Sequence, residues 1–386
     1  MNKKIFIFLS FIIFLVGCST NNEIINKTYD VDINIDNISE AFIPTAEKAI
    51  QSSIGVSSYV KGGAFGSWEL GSVGSGVVYF GCAYLKDGTV INDITNTKDQ
   101  NDVKEYKYRA ITNYHVISAP NREVITKVYL SKIDSLVDAD VLGYNIYEDL
   151  AIVEFSTSIY IPLITFGDSS SLQPGEIVLA VGNPEGYKYA DSVSLGIISN
   201  PKRYVDVKRD TNNDGRNDWE GTCEYIQHDA AINSGNSGGA LVNIKGELLG
   251  INAMKLVDTN NTIEGMGFAI PINIVKLYLS DMENGKVIKP KVLLGNVYNI
   301  NQILNKGLYD NIPSLEIPKE YDYEYGVYVY NTNSLGLMSG DIIIELNGNI
   351  MYNVSILNET IRNDIIDNFN WKIFRKGQFI EIEYNN

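Results

Sequence analysis

The sequence is poor in cysteine and histidine and carries little positive charge. Its 386 residues include three Cys and two His, and 31 Lys and Arg stand against 47 Asp and Glu, for a formal net charge of -16. So acidic a chain is disfavoured for binding nucleic acid phosphates or anionic lipid headgroups. Any membrane attachment must therefore be hydrophobic, and chemistry that needs an imidazole has only two candidates.

The sequence also lacks an apolar run long enough to span a bilayer. Two lysines precede a run from Ile5 to Val16, well short of the roughly 20 residues that a spanning helix needs, which is typical of an export signal. The run ends Leu-Val-Gly-Cys18, which resembles a bacterial lipobox, where the Cys18 thiol is lipidated and becomes the new N-terminus. We predict a lipoprotein signal peptide over 1–17 and anchoring on the extracytoplasmic face of the cell membrane. An ordinary cleaved signal peptide is the alternative.

Length and composition predict two folded regions after a flexible tether. The chain is 45% hydrophobic and 20% charged, near the average for soluble globular proteins, and is long enough for two or three domains. We predict a flexible tether over 18–45, a first domain over 46–288 and a second over 289–386. Export would permit a disulfide between Cys82 and Cys223, but the sequence leaves these two residues unassigned.

Short β-branched and aromatic runs predict a mainly β first domain. They are separated by Gly, Asn, Asp and Pro, and no strand–helix–strand alternation occurs. One helix is expected over 271–282, where apolar residues recur at helical spacing after a proline. The predicted strands lie at 76–80, 109–112, 127–130, 150–155, 177–181, 193–198 and 247–251.

Ser237 is the candidate nucleophile, in the segment DAAINSGNSGGAL from Asp229 to Leu241. A serine hydroxyl needs a base to take its proton and N–H donors to stabilise the oxyanion that forms. Gly235 can adopt backbone angles closed to other residues, so we expect an oxyanion hole from the backbone of Gly235, Asn236 and Ser237. A Gly- and Ser-rich turn between strands is the alternative.

His115 and Asp149 are the candidate base and its orienting carboxylate. His115 follows an apolar strand, whereas His228 precedes the nucleophile loop inside a predicted strand and is interpreted as a core or surface histidine. Asp149 directly precedes a buried-strand pattern, unlike the acidic residues at 134, 138 and 140, which lie in more polar sequence. The order His, Asp, Ser is that of chymotrypsin-type proteases.

Four segments resemble those of the HtrA/Deg family of protein-quality-control proteases: TNYHV, EDLAIV, DAAINSGNSGGAL and, from Gly267, GFAIP. The resemblance implies two six-stranded antiparallel β-barrels, chymotrypsin-like, with the triad between them, no required cofactor and often a homotrimer. It also implies an S1 pocket at Ala231 and Ile232, with no carboxylate there to pair with a basic P1 residue. Residues 81–108 are longer and more polar than the family's hairpin, and we predict a surface insertion that shapes access to the cleft.

The C-terminal region resembles a small α+β PDZ domain. The phrase LGLMSGDIIIELNG from Leu335 is typical of its core, and a helix within 354–366 and a strand over 380–384 fall where that fold needs them. Such a domain binds peptide C-termini by strand addition. The resemblance places the carboxylate-binding loop at Leu294, Gly295 and Asn296, although Asn296 stands where an apolar residue is usual.

We therefore predict a serine endopeptidase that cleaves misfolded or damaged extracytoplasmic proteins after small or aliphatic residues. The alternative is a peptide-binding chaperone or adaptor on the same fold. A calcium ion is a further hypothesis: Asp210, Asn212, Asp214 and Asp218 are spaced as in an EF-hand-type loop, but Gly221 stands where the bidentate Glu belongs. A hydrophilic turn is the competing interpretation.

Overall fold

The computed structural model describes residues 38–62, 66–97, 101–183, 186–217, 219–258, 261–288, 297–304, 315–331, 335–363 and 368–385. It is mainly β and contains three sheets, in which most strand pairs are antiparallel. All seven predicted strand runs lie within observed strands, so the mainly β prediction is confirmed.

The first sheet forms a ring of six strands. Its order is β1-β5-β6-β7-β4-β2, and β2 returns to pair with β1. Two short strands add to it, β3 on β2 and β15 on β6. The strands are β1 (Ser53–Lys61), β2 (Trp68–Leu85), β3 (Val90–Ile91), β4 (Val103–Thr112), β5 (Val124–Leu130), β6 (Ser135–Asn145), β7 (Leu150–Thr157) and β15 (Val287–Ile288). A short helix, α2 (Tyr114–Ile117), follows β4.

The second sheet repeats the plan. Its order is β12-β9-β10-β11-β14-β13, with β13 returning to β12, and β8 pairs in parallel with β13. The strands are β8 (Thr165–Phe166), β9 (Ile177–Gly182), β10 (Ser192–Arg209), β11 (Trp219–His228), β12 (Ala240–Asn243), β13 (Glu247–Asp258) and β14 (Asn261–Pro271). Each ring thus has six strands, as the resemblance implied.

Strand β7 joins the two rings, because its alternate side chains enter different hydrophobic clusters. Ala151 and Val153 point into the core of the first ring. Leu150 and Ile152 point the other way, into a cluster shared with second-ring residues such as Val181 and Ile251. All four β7 side chains are fully buried, because successive residues of a strand face opposite sides and both sides are covered. Asp149, just before β7, therefore lies where the two rings meet.

Two helices pack against these rings. The expected helix is α3 (Ile272–Glu283), which begins after Pro271 and buries Ile272, Val275 and Met282. The helix α1 (Ile38–Gln51) begins inside residues 18–45, so the prediction of tether up to residue 45 is wrong for its last part. Residues in this helix have core contacts: Ala49 is buried, and the Thr45 hydroxyl donates to the Ile244 carbonyl at 2.7 Å.

The predicted surface insertion over 81–108 is also partly wrong. Strands β2 and β4 extend through both of its ends, and Tyr106 and Tyr108 are buried in the first ring together with Ile94. The intervening Lys107 pairs with Glu154 outside, so the polar composition reflects one exposed face of a long hairpin. An insertion remains only around β3 and the short 3₁₀ helix at Ile94–Asn96.

The third sheet belongs to the C-terminal region. Its order is β16-β17-β18-β20-β21, with β19 on β18. The elements are β16 (Val297–Asn299), α4 (Ile300–Leu304), β17 (Val327–Val329), β18 (Ile342–Leu346), β19 (Asn349–Ile350), α5 (Val354–Asn363), β20 (Asn368–Arg375) and β21 (Gln378–Asn385). The expected C-terminal helix and last strand are α5 and β21. Asp341 of the Gly-Asp motif is 1% exposed and accepts two hydrogen bonds of 2.7 Å from Arg375.

Two negative observations concern the described residues. None of their helices is both long and apolar enough to cross a membrane. Cys82 on β2 and Cys223 on β11 are buried and form no disulfide within the described structure. Cys18 and the predicted signal peptide lie outside the described residues.

Candidate active site

The structure brings His115 and Asp149 into direct contact. Asp149 Oδ2 lies 2.7 Å from His115 Nδ1, and Asp149 Oδ1 accepts a hydrogen bond of 2.9 Å from the His115 backbone N–H. The Asp149 carbonyl accepts two more, from the Asn113 side-chain amide and the Tyr114 backbone N–H. These contacts clamp the start of α2 onto the turn before β7 and orient the imidazole, whose side chain remains 47% exposed.

The two groups perturb each other's protonation. Burial lowers the pKa of His115, but attraction to the Asp149 carboxylate and their hydrogen bond outweigh it, so the net pKa is raised. Burial raises the pKa of Asp149, but His115 and, more weakly, Arg209 outweigh it, so the net pKa is lowered. The pair therefore favours an ionised Asp149 and a basic His115, the states a general base needs.

Ser237 lies close to α2, the helix that contains His115. A Cβ placed on Gly74 of β2 would lie 2.6 Å from Val116 Cγ2 and 2.8 Å from the Ser237 carbonyl oxygen, so this glycine separates the neighbour of His115 from the nucleophile loop. The Ser237 hydroxyl donates to the Ala253 carbonyl at 3.1 Å. Among the described residues no hydrogen bond joins it to His115, so the hydroxyl must rotate before His115 can take its proton.

The nucleophile loop presents two free N–H groups. Asn233 to Asn236 form a turn closed by a 3.0 Å hydrogen bond from the Asn236 N–H to the Asn233 carbonyl, and Gly235, its third residue, has φ +99°. A type II turn requires a positive φ at this position, which is why glycine stands there. In the described part of the chain, the N–H groups of Gly235 and Ser237 donate to no acceptor. The expectation that Asn236 also contributes is corrected, because its N–H closes the turn.

Ser75 is a site residue that the sequence did not reveal. Its hydroxyl donates to the Gly235 carbonyl at 2.7 Å and accepts from the Asn183 N–H at 2.8 Å, and its backbone N–H donates to the Ser237 carbonyl at 2.7 Å. It is fully buried and ties the first ring to the nucleophile loop. No local pattern marks it, since its partner Gly235 lies 160 residues away.

His228 takes no part in this cluster. It lies in β11, is fully buried, and neither ring nitrogen has a hydrogen-bond partner in the described structure. Burial lowers its pKa to about 4. A neutral, enclosed imidazole of this kind is a core side chain, the first of the two positions, core or surface, that the sequence interpretation allowed.

The remaining predicted site residues are those of the S1 pocket, the carboxylate-binding loop and the calcium loop. Ala231 is exposed, and its carbonyl accepts a hydrogen bond from the Ser194 hydroxyl at 2.9 Å, while Ile232 is buried beside it. Leu294, Gly295 and Asn296 lie outside the described residues, as does Asp218.

In the proposed calcium loop, side-chain oxygens accept hydrogen bonds from backbone N–H groups of the loop itself. The Asp210 carboxylate accepts hydrogen bonds from the N–H groups of Asp214 and Gly215, at 3.1 and 2.6 Å, and Asn212 Oδ1 also accepts from Asp214. No group of three or more His, Cys, Asp or Glu side chains suited to a metal occurs among the residues described. The calcium hypothesis stays a prediction.

The similarity of this chain to known proteins identifies its fold class. The trypsin-like peptidase domain family matches residues 98–251, which contain His115, Asp149 and Ser237. Two solved structures of the HtrA-type protease AlgW have the same fold. One, with a tripeptide, is 25% identical with a TM-score of 0.58 over 88% of this chain and 95% of that one. The other, with a decapeptide, is 23% identical with the same TM-score over 88% and 96%. The chain has a trypsin-like fold.

Sequence relatives then give the family. The Do-like serine protease HtrA of Lactococcus lactis subsp. cremoris is 32% identical over 345 residues, which are 84% of this chain and 74% of that protein. HtrA of Lactobacillus helveticus is 31% identical over 71% of this chain, and HtrB of Bacillus subtilis is 33% identical over 69%. The chain belongs to the HtrA family of Do-like serine proteases. It spans less than two thirds of the latter two relatives, 63% and 57% of their lengths.

Proposed function

We propose that this protein is a serine endopeptidase in which Ser237 attacks the scissile carbonyl, His115 is general base and acid, and Asp149 orients the imidazole. The observation that carries the proposal is the Asp149–His115 contact of 2.7 Å beside a nucleophile loop with free N–H groups at Gly235 and Ser237. A base with a fixed tautomer and preorganised oxyanion donors are the two requirements of acyl transfer by serine.

The order of events follows from this geometry. Substrate binding displaces the Ser237 hydroxyl from the Ala253 carbonyl, and the hydroxyl turns toward His115 Nε2. His115 accepts the proton as the oxygen attacks, and Asp149 stabilises the imidazolium that results. The oxyanion is held by the N–H groups of Gly235 and Ser237. His115 then gives the proton to the leaving amine, and water hydrolyses the acyl-enzyme by the same steps.

The substrates are proposed to be misfolded or damaged extracytoplasmic proteins, cut after small or aliphatic residues. The absence of acidic side chains at Ala231 and Ile232 supports an apolar P1 residue, because a buried Lys or Arg would be left unpaired. Binding of peptides is supported by the related AlgW structures, which hold a tripeptide and a decapeptide. A homotrimeric assembly and the lack of a required cofactor stay predictions.

The C-terminal region is proposed to be a PDZ domain that binds peptide C-termini. Support comes from its sheet, in which β16 is an edge strand among the described strands and has α5 beside it, the arrangement that strand addition uses. Membrane attachment is proposed to run through lipidated Cys18. If so, Cys18→Ala should move the protein from the membrane to the soluble fraction, and full retention in the membrane would refute the anchor.

The activity is tested by digestion of fluorescently labelled casein with and without a serine-directed inhibitor. Ser237→Ala should lower kcat by at least about 10³-fold. Ser234→Ala, an exposed serine in the same loop, is the matched control and should keep the parent's rate. A parent that binds casein without cleaving it would instead support the chaperone or adaptor alternative.

A further inference from the structure

Arg209 lies at the end of β10, in the second ring, and carries a positive charge that acts on the catalytic pair. Its Nη2 donates to the Tyr225 hydroxyl at 3.2 Å, and Tyr225 is fully buried in the cluster that also contains Leu150, the residue after Asp149. The Arg209 Nε is buried and has no hydrogen-bond partner in the described structure. A guanidinium held this way is unusual, because a buried N–H normally finds an acceptor.

The hairpin that carries Arg209 contacts both chain segments that hold the pair. On one side, the Cys223 thiol of β11 donates to the Tyr147 carbonyl at 3.3 Å, close before Asp149. On the other, the loop after β10 contacts the chain that follows α2. The Asn121 N–H donates to the Asn213 carbonyl at 3.0 Å, and the Asn121 side chain donates to the Asp214 carbonyl at 2.9 Å. The end of β10 is thus fixed between these segments.

The Asp149 carboxylate has few hydrogen-bond donors for a buried anion. Its side chain is 9% exposed, and its two hydrogen-bond partners within the described structure are both N–H groups of His115. An ionised carboxylate offers about four acceptor sites, so donors from one neighbouring residue leave it incompletely stabilised. A buried carboxylate in that state needs a nearby positive charge to stay ionised.

We propose that Arg209 is a positioning residue of the catalytic pair, whose guanidinium keeps the Asp149 carboxylate ionised and aligned with His115 while it limits the basicity of the imidazole. This inference rests on the proposed assignment of the triad. Arg209 acts on both members in the same direction, lowering the pKa of Asp149 and that of His115.

No other cation acts on both members of the pair among the described residues. Two other ionisable groups interact electrostatically with Asp149, Tyr114 on α2 and Tyr225 on β11. The further ionisable groups that act on these two tyrosines are Tyr144 on β6, Asp210, Glu148 and Cys223 on β11. Two of these are carboxylates and the rest are weak acids. Loss of Arg209 would therefore leave the pair surrounded only by neutral or negative groups, and both pKa values would rise.

The direct test is an NMR titration of the imidazoles in a Ser237→Ala background. The chain has only two histidines, so His115→Asn identifies the signals. Arg209→Gln and Arg209→Met should raise the His115 midpoint by roughly half a pH unit or more, as expected for loss of a unit charge in a partly buried site. Arg209→Lys should restore most of the parent value. Lys208→Gln removes the same charge from an exposed neighbour and should leave it unchanged.

Kinetics give an independent measurement in the active protein. The acid limb of kcat/KM for a peptide substrate should move to higher pH in Arg209→Gln, with KM little changed, whereas a purely structural role would lower the rate at every pH without a shift. Tyr225→Phe, which removes only the hydroxyl that holds the guanidinium, should shift the limb in the same direction. An unshifted His115 midpoint in folded Arg209→Gln would overturn the proposal. An inactive parent would instead refute the proposed function, and the NMR titration would still test Arg209.

Discussion

At the residue scale, the nucleophile loop depends on close approach to β2. Gly238 has φ +85°, and a Cβ there would lie 2.1 Å from the Ser75 carbonyl oxygen. Gly74 is packed as tightly on the other side, against Val116 and Ser237. These two glycines let the strand and the loop touch, and Ser75 then joins them with two hydrogen bonds, to the carbonyls of Gly235 and Ser237. The geometry of Ser237 is thus set by a residue in the other ring.

Ser75→Ala tests that dependence. The change leaves the Gly235 carbonyl and the Asn183 N–H buried without their partner, which should destabilise the protein by about 1–3 kcal/mol. Because Gly235 is a proposed oxyanion donor, kcat should also fall, with KM less affected. The measurements are urea unfolding and peptide-substrate kinetics. Ser72→Ala, on the same strand but partly exposed, is the control. A stable variant with unchanged kcat would show that Ser75 does not position the loop.

At the element scale, α3 connects the two rings. It follows β14 of the second ring and packs on β6 of the first, where Gly143 permits the approach: a Cβ there would lie 2.3 Å from the Met282 carbonyl oxygen. A backbone atom cannot move aside as a flexible side chain can, so the contact admits only glycine.

Gly143→Ala should therefore displace the end of α3 and destabilise the protein by about 1–3 kcal/mol. Gly62→Ala is the matched control, since its new methyl group would meet only the flexible end of Arg122 at 3.5 Å. The free energies of unfolding of both variants, measured in urea, decide the matter. Equal stability of the two variants would contradict the packing described for α3.

At the scale of the whole molecule, His228 gives stability a pH dependence. Its pKa is lowered by burial to about 4, below the ordinary value near 6.5, so the unfolded chain binds its proton more tightly than the folded one. The associated stability is present above about pH 6.5 and is lost as pH falls toward 4, by roughly 3 kcal/mol in total. His115 acts oppositely, since its raised pKa contributes stability on the acid side.

His228→Leu isolates this effect, because leucine fills a similar volume and does not titrate. We expect the variant to lose roughly 3 kcal/mol less than the parent between pH 7 and pH 4. Urea midpoints at several pH values provide the measurement. Parallel pH profiles for parent and variant would show that His228 is protonated as readily in the folded protein as in the unfolded one.

The sequence by itself determined the mainly β fold and the three members of the proposed triad. Each proposed catalytic residue stands next to a local signal: Asp149 before an apolar strand, His115 after one, and Ser237 within a glycine-flanked turn. Such signals depend on periodicity and turn chemistry over a few residues, which a linear pattern preserves. The polar composition of residues 81–108 led to the partly wrong prediction of a surface insertion. One face of this long hairpin is exposed, while Tyr106 and Tyr108 point inward.

Only the tertiary structure decided which distant groups serve the site. Ser75 reaches Gly235 across 160 residues, and Arg209, which we propose serves the His115–Asp149 pair, lies in the other ring, where it donates to Tyr225. Neither has a local pattern, since a buried hydroxyl or guanidinium acquires its role from the polar atoms that folding places around it. The cost of leaving such groups unpaired arises only once water has been excluded, so it is a property of the packed protein and not of the sequence alone.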